Sequence, residues 1–321
     1  MTPEEVADAW LTEPIGVVGV RALILAYARE FRGVATHTLQ IKQSFMVSTE
    51  VLPNGKIVLS LGNTVVDIWD ATLTRQVRSL VGHTHMVYAL AALPDGKLAS
   101  GSADGTIRIW EHSTDACLLT IQAGPCHPLG AVSSLVMIGN DKLAAGMGDG
   151  TIDVWDITTG ARVITLARRS LYPVFALAAM PDNKLASASG DGEVRVWDLA
   201  TGECILVLMH SKLRADSVVS LPDGILASAG AGRTVRLWNA TTGECVRELV
   251  GHTNTIVKLC VMEDGTLVSA SKDHTVRVWD WRTGACLQTL FGHDGEVLDV
   301  VSLPGCRLLS VAQGRTVITW N

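Results

Sequence analysis

Runs of like charge are missing from this sequence, and so are long apolar runs, paired-cysteine motifs and most aromatic rings other than indole. With 26 Lys and Arg against 32 Asp and Glu, the net charge is −6 and no cluster of cations stands out. General nucleic-acid binding needs clustered Lys and Arg to neutralise phosphates, so it is not expected of this chain. The apolar segment Ile15 to Ala28 is 14 residues long and is broken by Arg21, well short of the roughly 20 residues that a spanning helix requires. The opening MTPEEVADAW is acidic where a secretory leader would be basic. Neither C-x-x-C nor H-E-x-x-H occurs, so no metal centre or redox dithiol is expected. Tyrosine and phenylalanine are scarce, at three and four, against nine tryptophans.

The tryptophans carry the organisation. They stand at Trp69, Trp110, Trp155, Trp197, Trp238, Trp279 and Trp320, in steps of 41, 45, 42, 41, 41 and 41 residues. One complete unit runs from Leu267 to His293, LVSASKDHTVRVWDWRTGACLQTLFGH. Its centre, Val276-Arg277-Val278-Trp279, alternates apolar and polar side chains as a half-buried strand does, with turn residues on either side. A period of about 40–45 residues that begins at Gly-His and ends at Trp-Asp resembles the WD-repeat family, each repeat being one four-stranded blade. The resemblance covers residues 34–321 and implies an all-β fold, a seven-bladed WD-repeat β-propeller. A generic length rule would suggest two domains, but the unbroken period argues for one ring in which each blade buries its neighbours' faces. Cys117, Cys204, Cys245 and Cys286 each follow a blade tryptophan by seven residues and are read as one repeated packing position. Such positions on successive blades lie too far apart for a disulfide, whose Cα atoms must be within about 7 Å. All seven cysteines are read as thiols of a cytoplasmic or nuclear protein.

Residues 1–33 form a separate extension. Thr2-Pro3-Glu4-Glu5 carries the signals of a helix start, and Val20, Leu23, Ile24, Tyr27 and Phe31 fall at helical spacing, so two short helices are expected, over 2–12 and 16–32. At the other end only Asn321 follows Trp320, so the last blade is one strand short. Val34 to Ile41, VATHTLQI, has the length and alternation of the missing strand, and in the WD-repeat family a borrowed strand of this kind closes the ring.

The resemblance also implies a buried tetrad of His, Ser, Asp and Trp within a blade. Two blades carry it whole: His83, Ser100, Asp104, Trp110, and His252, Ser269, Asp273, Trp279. The residue types match a hydrolase triad, but the set occurs twice at identical spacing with a tryptophan as fourth member, which is how a structural staple behaves. Other blades degrade it, with Ala145 at the serine position and Gly232 and Gly314 at the aspartate position. In the first blade Asn63 replaces the aspartate and Lys42 stands near the histidine position. His83-Thr84-His85 could offer two metal ligands, yet no third is implied nearby, and no metal or other cofactor is expected. Asn239-Ala240-Thr241 matches a glycosylation acceptor but occupies an ordinary blade turn and is read as unmodified.

In this family two positions per blade lie near the top of the axial pore. By register, the first set is Val47, Tyr88, Ser133, Phe175, Asp216, Val257 and Leu298, and the second is Gly62, Ala103, Gly148, Gly190, Ala231, Lys272 and Gln313. The implied mouth is a shallow apolar socket around Tyr88, Phe175, Val257 and Leu298, able to take one anchoring side chain. Arg168, Arg169, Lys212, Arg214 and Arg233 fall in top loops of the fourth and fifth blades and suggest affinity for an acidic or phosphorylated segment, although Asp294 and Glu296 stand across the ring. Finally, Trp279-Asp280-Trp281-Arg282 resembles the Trp-Asp-x-Arg motif by which some WD-repeat proteins serve as substrate receptors of cullin-RING ubiquitin ligases, binding an adaptor through Trp279, Asp280 and Arg282. The expected function is that of a non-enzymatic scaffold that binds protein partners through its top face and N-terminal helices. The alternatives are such a receptor or a constitutive structural subunit of a large complex.

Overall fold

The computed structural model describes residues 33–40, 48–126, 128–166, 172–313 and 316–321. The helices expected over 2–12 and 16–32 lie outside these residues, as do Lys42, Val47, Arg168, Arg169 and Gly314. The described chain folds into seven four-stranded antiparallel sheets, numbered here as blades 1–7 in chain order. The innermost strands touch one another in succession, and that of blade 1 touches that of blade 7, so the sheets form a closed propeller.

Blade 6 shows why the sequence adopts this form. Its strands are Ile256–Val261, Leu267–Ser271, Val276–Asp280 and Ala285–Leu290, from the axis outward. The second strand is buried on both faces, which its small and apolar residues LVSAS allow. In the third strand Val276, Val278 and Trp279 are buried and Arg277 is half-buried, the alternation read from the sequence. The outermost strand is exposed at Ala285 and Cys286, half-buried over the next three residues and buried only at Leu290. Burial therefore falls from the second strand outward, and the apolar clusters lie between blades. Trp279 of blade 6 shares one with Val235, Leu237 and Leu249 of blade 5. Close approach of blades depends on small residues. A Cβ at Gly101 in blade 2 would stand 2.9 Å from Val132 Cβ in blade 3, and one at Gly146 would stand 2.7 Å from Val174 Cγ1 in blade 4.

Blade 7 is built from both ends of the described chain. Its outermost strand, Ala35–Gln40, runs antiparallel to Thr316–Trp320, with Leu39 opposite Val317 and Ala35 opposite Trp320. Thr36 Oγ1 adds a bond to the Thr319 carbonyl at 3.1 Å. Without Ala35–Gln40, the Thr316–Trp320 strand would present an open row of backbone donors and acceptors.

In blades 2 and 6 the four tetrad residues form one hydrogen-bonded chain. Trp110 Nε1 donates to Ser100 Oγ at 2.7 Å, Ser100 meets His83 Nε2 at 2.7 Å, and His83 Nδ1 meets Asp104 Oδ2 at 2.9 Å. Blade 6 repeats this with Trp279 to Ser269 at 2.8 Å, Ser269 to His252 at 2.7 Å, and His252 to Asp273 at 2.7 Å. The aspartates also tie down the neighbouring turns, since Asp104 accepts from the Thr84 and Thr106 amides at 3.0 and 2.9 Å and from Thr106 Oγ1 at 2.6 Å. Burial opposes the charge on Asp104, but bonds from Thr106, Thr84 and His83 outweigh it and bring the carboxyl down to about 2. Burial lowers both histidines, against the pull of their aspartates. The resulting state is a neutral imidazole donating from Nδ1 to a carboxylate.

One expectation changes. The four repeated cysteines do not pack: Cys117, Cys204, Cys245 and Cys286 are exposed. Each sits on an outermost strand, opposite its blade tryptophan at a register shift, where there is no further layer to cover it. Where the tetrad is degraded, parts of the network remain. Ser187 still accepts from Trp197 at 2.9 Å, and blades 5 and 7 keep three members: Trp238, Ser228 and His210, and Trp320, Ser310 and His293. In blades 1 and 3, where Leu59 and Ala145 take the serine position by register, the Trp69 and Trp155 indole nitrogens are buried without a partner.

Candidate functional site

The axis of the propeller is open at the end where the inner strands begin. A channel of about 490 Å³ is lined there by Tyr88, Ser133, Phe175, Asp216, Val257 and Leu298, one residue from each of blades 2–7. These are the residues that the repeat register assigns to the mouth, apart from Val47, which lies outside the described residues. Of the second register set, Gly148 lines the same channel, while Gly190 and Ala231 belong to a separate cleft. The wall is part apolar and part charged, and the charges are already matched. Arg214 Nε lies 2.9 Å from Asp216 Oδ1, and its guanidinium stacks 5.8 Å from the Phe175 ring centre. Burial pushes the Asp216 carboxyl up, and the Arg214 and Lys272 charges oppose that. Lys272 Nζ in blade 6 reaches Glu296 Oε2 in blade 7 at 3.0 Å.

One layer deeper, the residue after each mouth position forms a second ring: Ser48, Ala89, Ser134, Ala176, Ser217, Lys258 and Asp299. Five of the seven are small, and the two charged members are neighbours. Lys258 Nζ lies 3.7 Å from Asp299 Oδ1. Beside them, burial raises Glu50 to about 7 against the opposing pull of Lys258, and it raises the Cys260 thiol to about 12. Asp299 raises the Lys258 ammonium, against the cost of burial. This polar wall was missed in the sequence, although shifting the mouth register by one residue would have exposed it: Lys258 and Asp299 are the only ionisable side chains in that ring.

The cations in the top loops separate into two groups. Arg214 and Lys272 are held by carboxylates, whereas Lys212 and Arg233 are exposed and form no ion pair among the described residues. Lys212 and Arg214 border a second cleft, of about 470 Å³, together with Tyr172, Gly190, Asp191, Leu213 and Ala231. Tyr172 and Leu213 are 56% and 63% exposed, so this cleft offers apolar surface beside positive charge.

On the opposite side of blade 6, Asp280 accepts from the backbone of Arg282 at 3.0 Å and from Thr283 Oγ1 at 2.6 Å. Arg282 reaches Asp223 of blade 5 at 3.1 Å and stacks 4.2 Å from the Trp281 ring centre. Trp279 is buried in its tetrad. Among the described residues there is no group of three His, Cys, Asp or Glu side chains placed to hold a metal ion, and no helix is long and apolar enough to cross a membrane.

Seven four-stranded sheets around a lined axial channel, stapled by Trp-Ser-His-Asp chains, define a repeat-built β-propeller. The chain belongs to the WD-repeat family: the family model described as WD domain, G-beta repeat, matches residues 74–111, 164–198, 243–280 and 284–321. Among curated proteins, it is similar to the ribosome biogenesis protein YTM1 of Scheffersomyces stipitis, at 40% identity over 85 residues, covering 24% of this chain and 18% of that protein. It resembles the ribosome biogenesis protein BOP1 of Rattus norvegicus at 48% identity over 44 residues, covering 13% and 6%. With the target of rapamycin complex subunit wat1 of Schizosaccharomyces pombe it shares 33% identity over 82 residues, covering 25% and 26%. The matched part is thus about a quarter or less of each of these relatives.

Proposed function

We propose that this chain is a non-enzymatic interaction scaffold of the nucleus or cytoplasm that takes a segment of a protein partner at the top of its propeller. The observation that carries this reading is the convergence of Tyr88, Phe175, Val257 and Leu298, from four separate blades, on one channel mouth. An apolar socket with a polar rim is the form in which a few anchor residues supply most of the binding energy. The exposed Lys212 and Arg233, in loops of blade 5, suit a segment with acidic or phosphorylated residues next to its anchor. Similarity to ribosome biogenesis proteins and to a subunit of the target of rapamycin complex supports a role as a subunit within larger assemblies.

Adaptor docking through Trp279, Asp280 and Arg282 has less support. Trp279 and Asp280 spend their polar atoms inside their own blade, and Arg282 is engaged with Asp223 and Trp281. Affinity purification from cells, comparing the wild type with Tyr88→Ala/Phe175→Ala, tests the scaffold reading. Loss of recovered partners at an unchanged melting temperature is expected. Full recovery of every partner by the double variant would overturn the mouth as the docking site.

A further inference from the structure

The outermost strands of the blades can be compared position by position, because each has a residue set opposite its blade tryptophan. Trp197 faces Cys204 in blade 4 as Trp238 faces Cys245 in blade 5. Three residues further on, six of the blades carry a polar side chain: Ser79, Thr120, Thr165, Glu248, Thr289 and Thr38, in blades 1, 2, 3, 5, 6 and 7. Several of these serve the next strand in, since Ser79 donates to Asp67 at 2.7 Å, Thr165 donates to Asp153, and Glu248 pairs with Arg236 at 2.9 Å. Polar and charged side chains on an open sheet edge also discourage pairing with another chain.

Blade 4 departs from this pattern. Its outermost strand is Cys204–Met209, CILVLM, which carries no charged residue, and the position held elsewhere by a polar side chain is Val207. Arg195 lies opposite Val207 on the next strand in and is held instead by Asp191, at 3.1 Å, and by Glu193. Leu206 and Leu208 turn toward blade 5, where they pack in the cluster of Trp238. Ile205, Val207 and Met209 alternate with them and are 41%, 55% and 51% exposed, so the edge strand carries an unbroken apolar row. Blade 5 exposes Val246 and Val250 at the positions of Ile205 and Met209, but Glu248 stands between them. The two ends of the blade 4 strand are oppositely charged. Glu203 precedes it and Lys212 follows it, and both are exposed and form no ion pair among the described residues.

We propose that this edge joins two copies of the chain, their blade 4 strands pairing antiparallel about a twofold axis at Val207. Residues directly opposite each other in an antiparallel pair share a face, so the register sets Val207 against Val207 and Ile205 against Met209. It also sets Glu203 of each copy opposite Ser211 of the other, one residue from Lys212, so that unpaired charges of opposite sign meet at both ends. This match of the strand to its own reverse, in apolar row and in charge, selects a second copy as the occupant. The strand leads up to the top loop that carries Lys212, so antiparallel pairing turns the two channel mouths in opposite directions. One pair of six-residue strands is a small contact, and the dimer should therefore dissociate on dilution.

The test is sedimentation velocity on the full chain over a range of concentrations. The wild type is expected to pass from one chain mass to two and to stop there. Val207→Lys places like charges against each other at the twofold axis and should weaken association about ten-fold or more, at an unchanged melting temperature. Val250→Lys, at the blade 5 position that corresponds to Met209, should associate as the wild type does. Glu203→Lys and Lys212→Glu should each weaken the dimer about three- to ten-fold, because each breaks the ion pair at both ends, and the two together should restore it. A single chain mass at every concentration overturns the proposal and leaves the edge to a segment of another protein. A mass that keeps rising, association that ignores Val207→Lys, or failure of the double charge reversal to restore the dimer overturns it equally. None of these results depends on recovering a protein partner, so the dimer and the scaffold reading can fail separately.

Discussion

Asp299 Oδ2 accepts the backbone N–H of Thr49 at 2.7 Å across 250 positions of sequence, joining the inner strand of the last blade to that of the first. Its other oxygen takes the Val300 amide at 2.9 Å and lies 3.7 Å from Lys258 Nζ. A neutral version of the same link occurs between blades 5 and 6, where Ser217 Oγ accepts the Leu259 amide at 3.0 Å. The seam of the ring is therefore the place where a charged acceptor replaces a hydroxyl.

Asp299→Ala should destabilise by about 1–3 kcal/mol, because it orphans a buried amide and leaves Lys258 beside Glu50 alone. Ser217→Ala should cost less, roughly 1 kcal/mol. Urea denaturation of the two variants measures the difference. Equal losses would mean that the carboxylate adds nothing beyond an ordinary hydrogen bond.

The outer strand of blade 7 makes a second expectation. A chain beginning at residue 33 should melt close to the full chain if the propeller alone sets the transition, whereas one beginning at residue 43 lacks Ala35–Gln40 and should lose several kcal/mol through an exposed edge and apolar face. Calorimetry on both truncations decides it, and coincident transitions would show that this strand contributes little.

Asp273→Ala removes the acceptor of His252, the Thr253 amide and Thr275, and should cost about 1–3 kcal/mol. Ser269→Ala should cost a similar amount by orphaning the Trp279 indole. Neither change should alter a chemical activity. Hydrolysis of an ester or peptide by the wild type that disappears in Ser269→Ala would show that these residues do more than hold the blade.

Acid should destabilise the ring through its buried histidines at a higher pH than that at which the Asp104 charge is lost. Burial holds His210 and His293 down at about 4, with the Arg236 charge adding to the effect at His210 and Asp294 opposing it at His293. Between about pH 6.5 and 4 the unfolded chain gains protons on these histidines that the folded chain refuses, so stability falls with pH, by up to about 3 kcal/mol per histidine. Glu50 works the other way: held at about 7, it stays protonated in the folded chain while the unfolded chain ionises above about 4.5, so its contribution is lost as pH rises through 7. Two histidines outweigh one glutamate, and the melting temperature should rise from pH 4 to 6.5, more steeply in Glu50→Gln. Below pH 4, loss of the Asp104 charge, held at about 2, should take over. A flat profile between pH 4 and 6.5 would show that His210 and His293 are protonated in the folded protein.

The ring and the membership of its mouth were legible because each blade repeats one register, so a position read in one blade is read in all. Tyr88, Phe175, Val257 and Leu298 were found that way. The pairing of the cations was harder. Arg214 and Asp216 are two residues apart on one strand and could have been matched by alternation, but Lys272 meets Glu296 only because neighbouring blades turn toward the axis. The cysteines show the limit of periodicity: in Ala116-Cys117-Leu118 every neighbour is apolar, so the pattern marks a repeated position without saying whether anything covers it.

Ala35 lies opposite Trp320 in an antiparallel pair, and the Val34 and Asn321 backbones bond to each other just beyond it. A pulling force applied between residues 33 and 321 would therefore load these hydrogen bonds one at a time from that end, like a zip, instead of shearing them together. The propeller should yield at low tension in an optical trap, losing blade 7 first, although the same seam helps to secure it against heat.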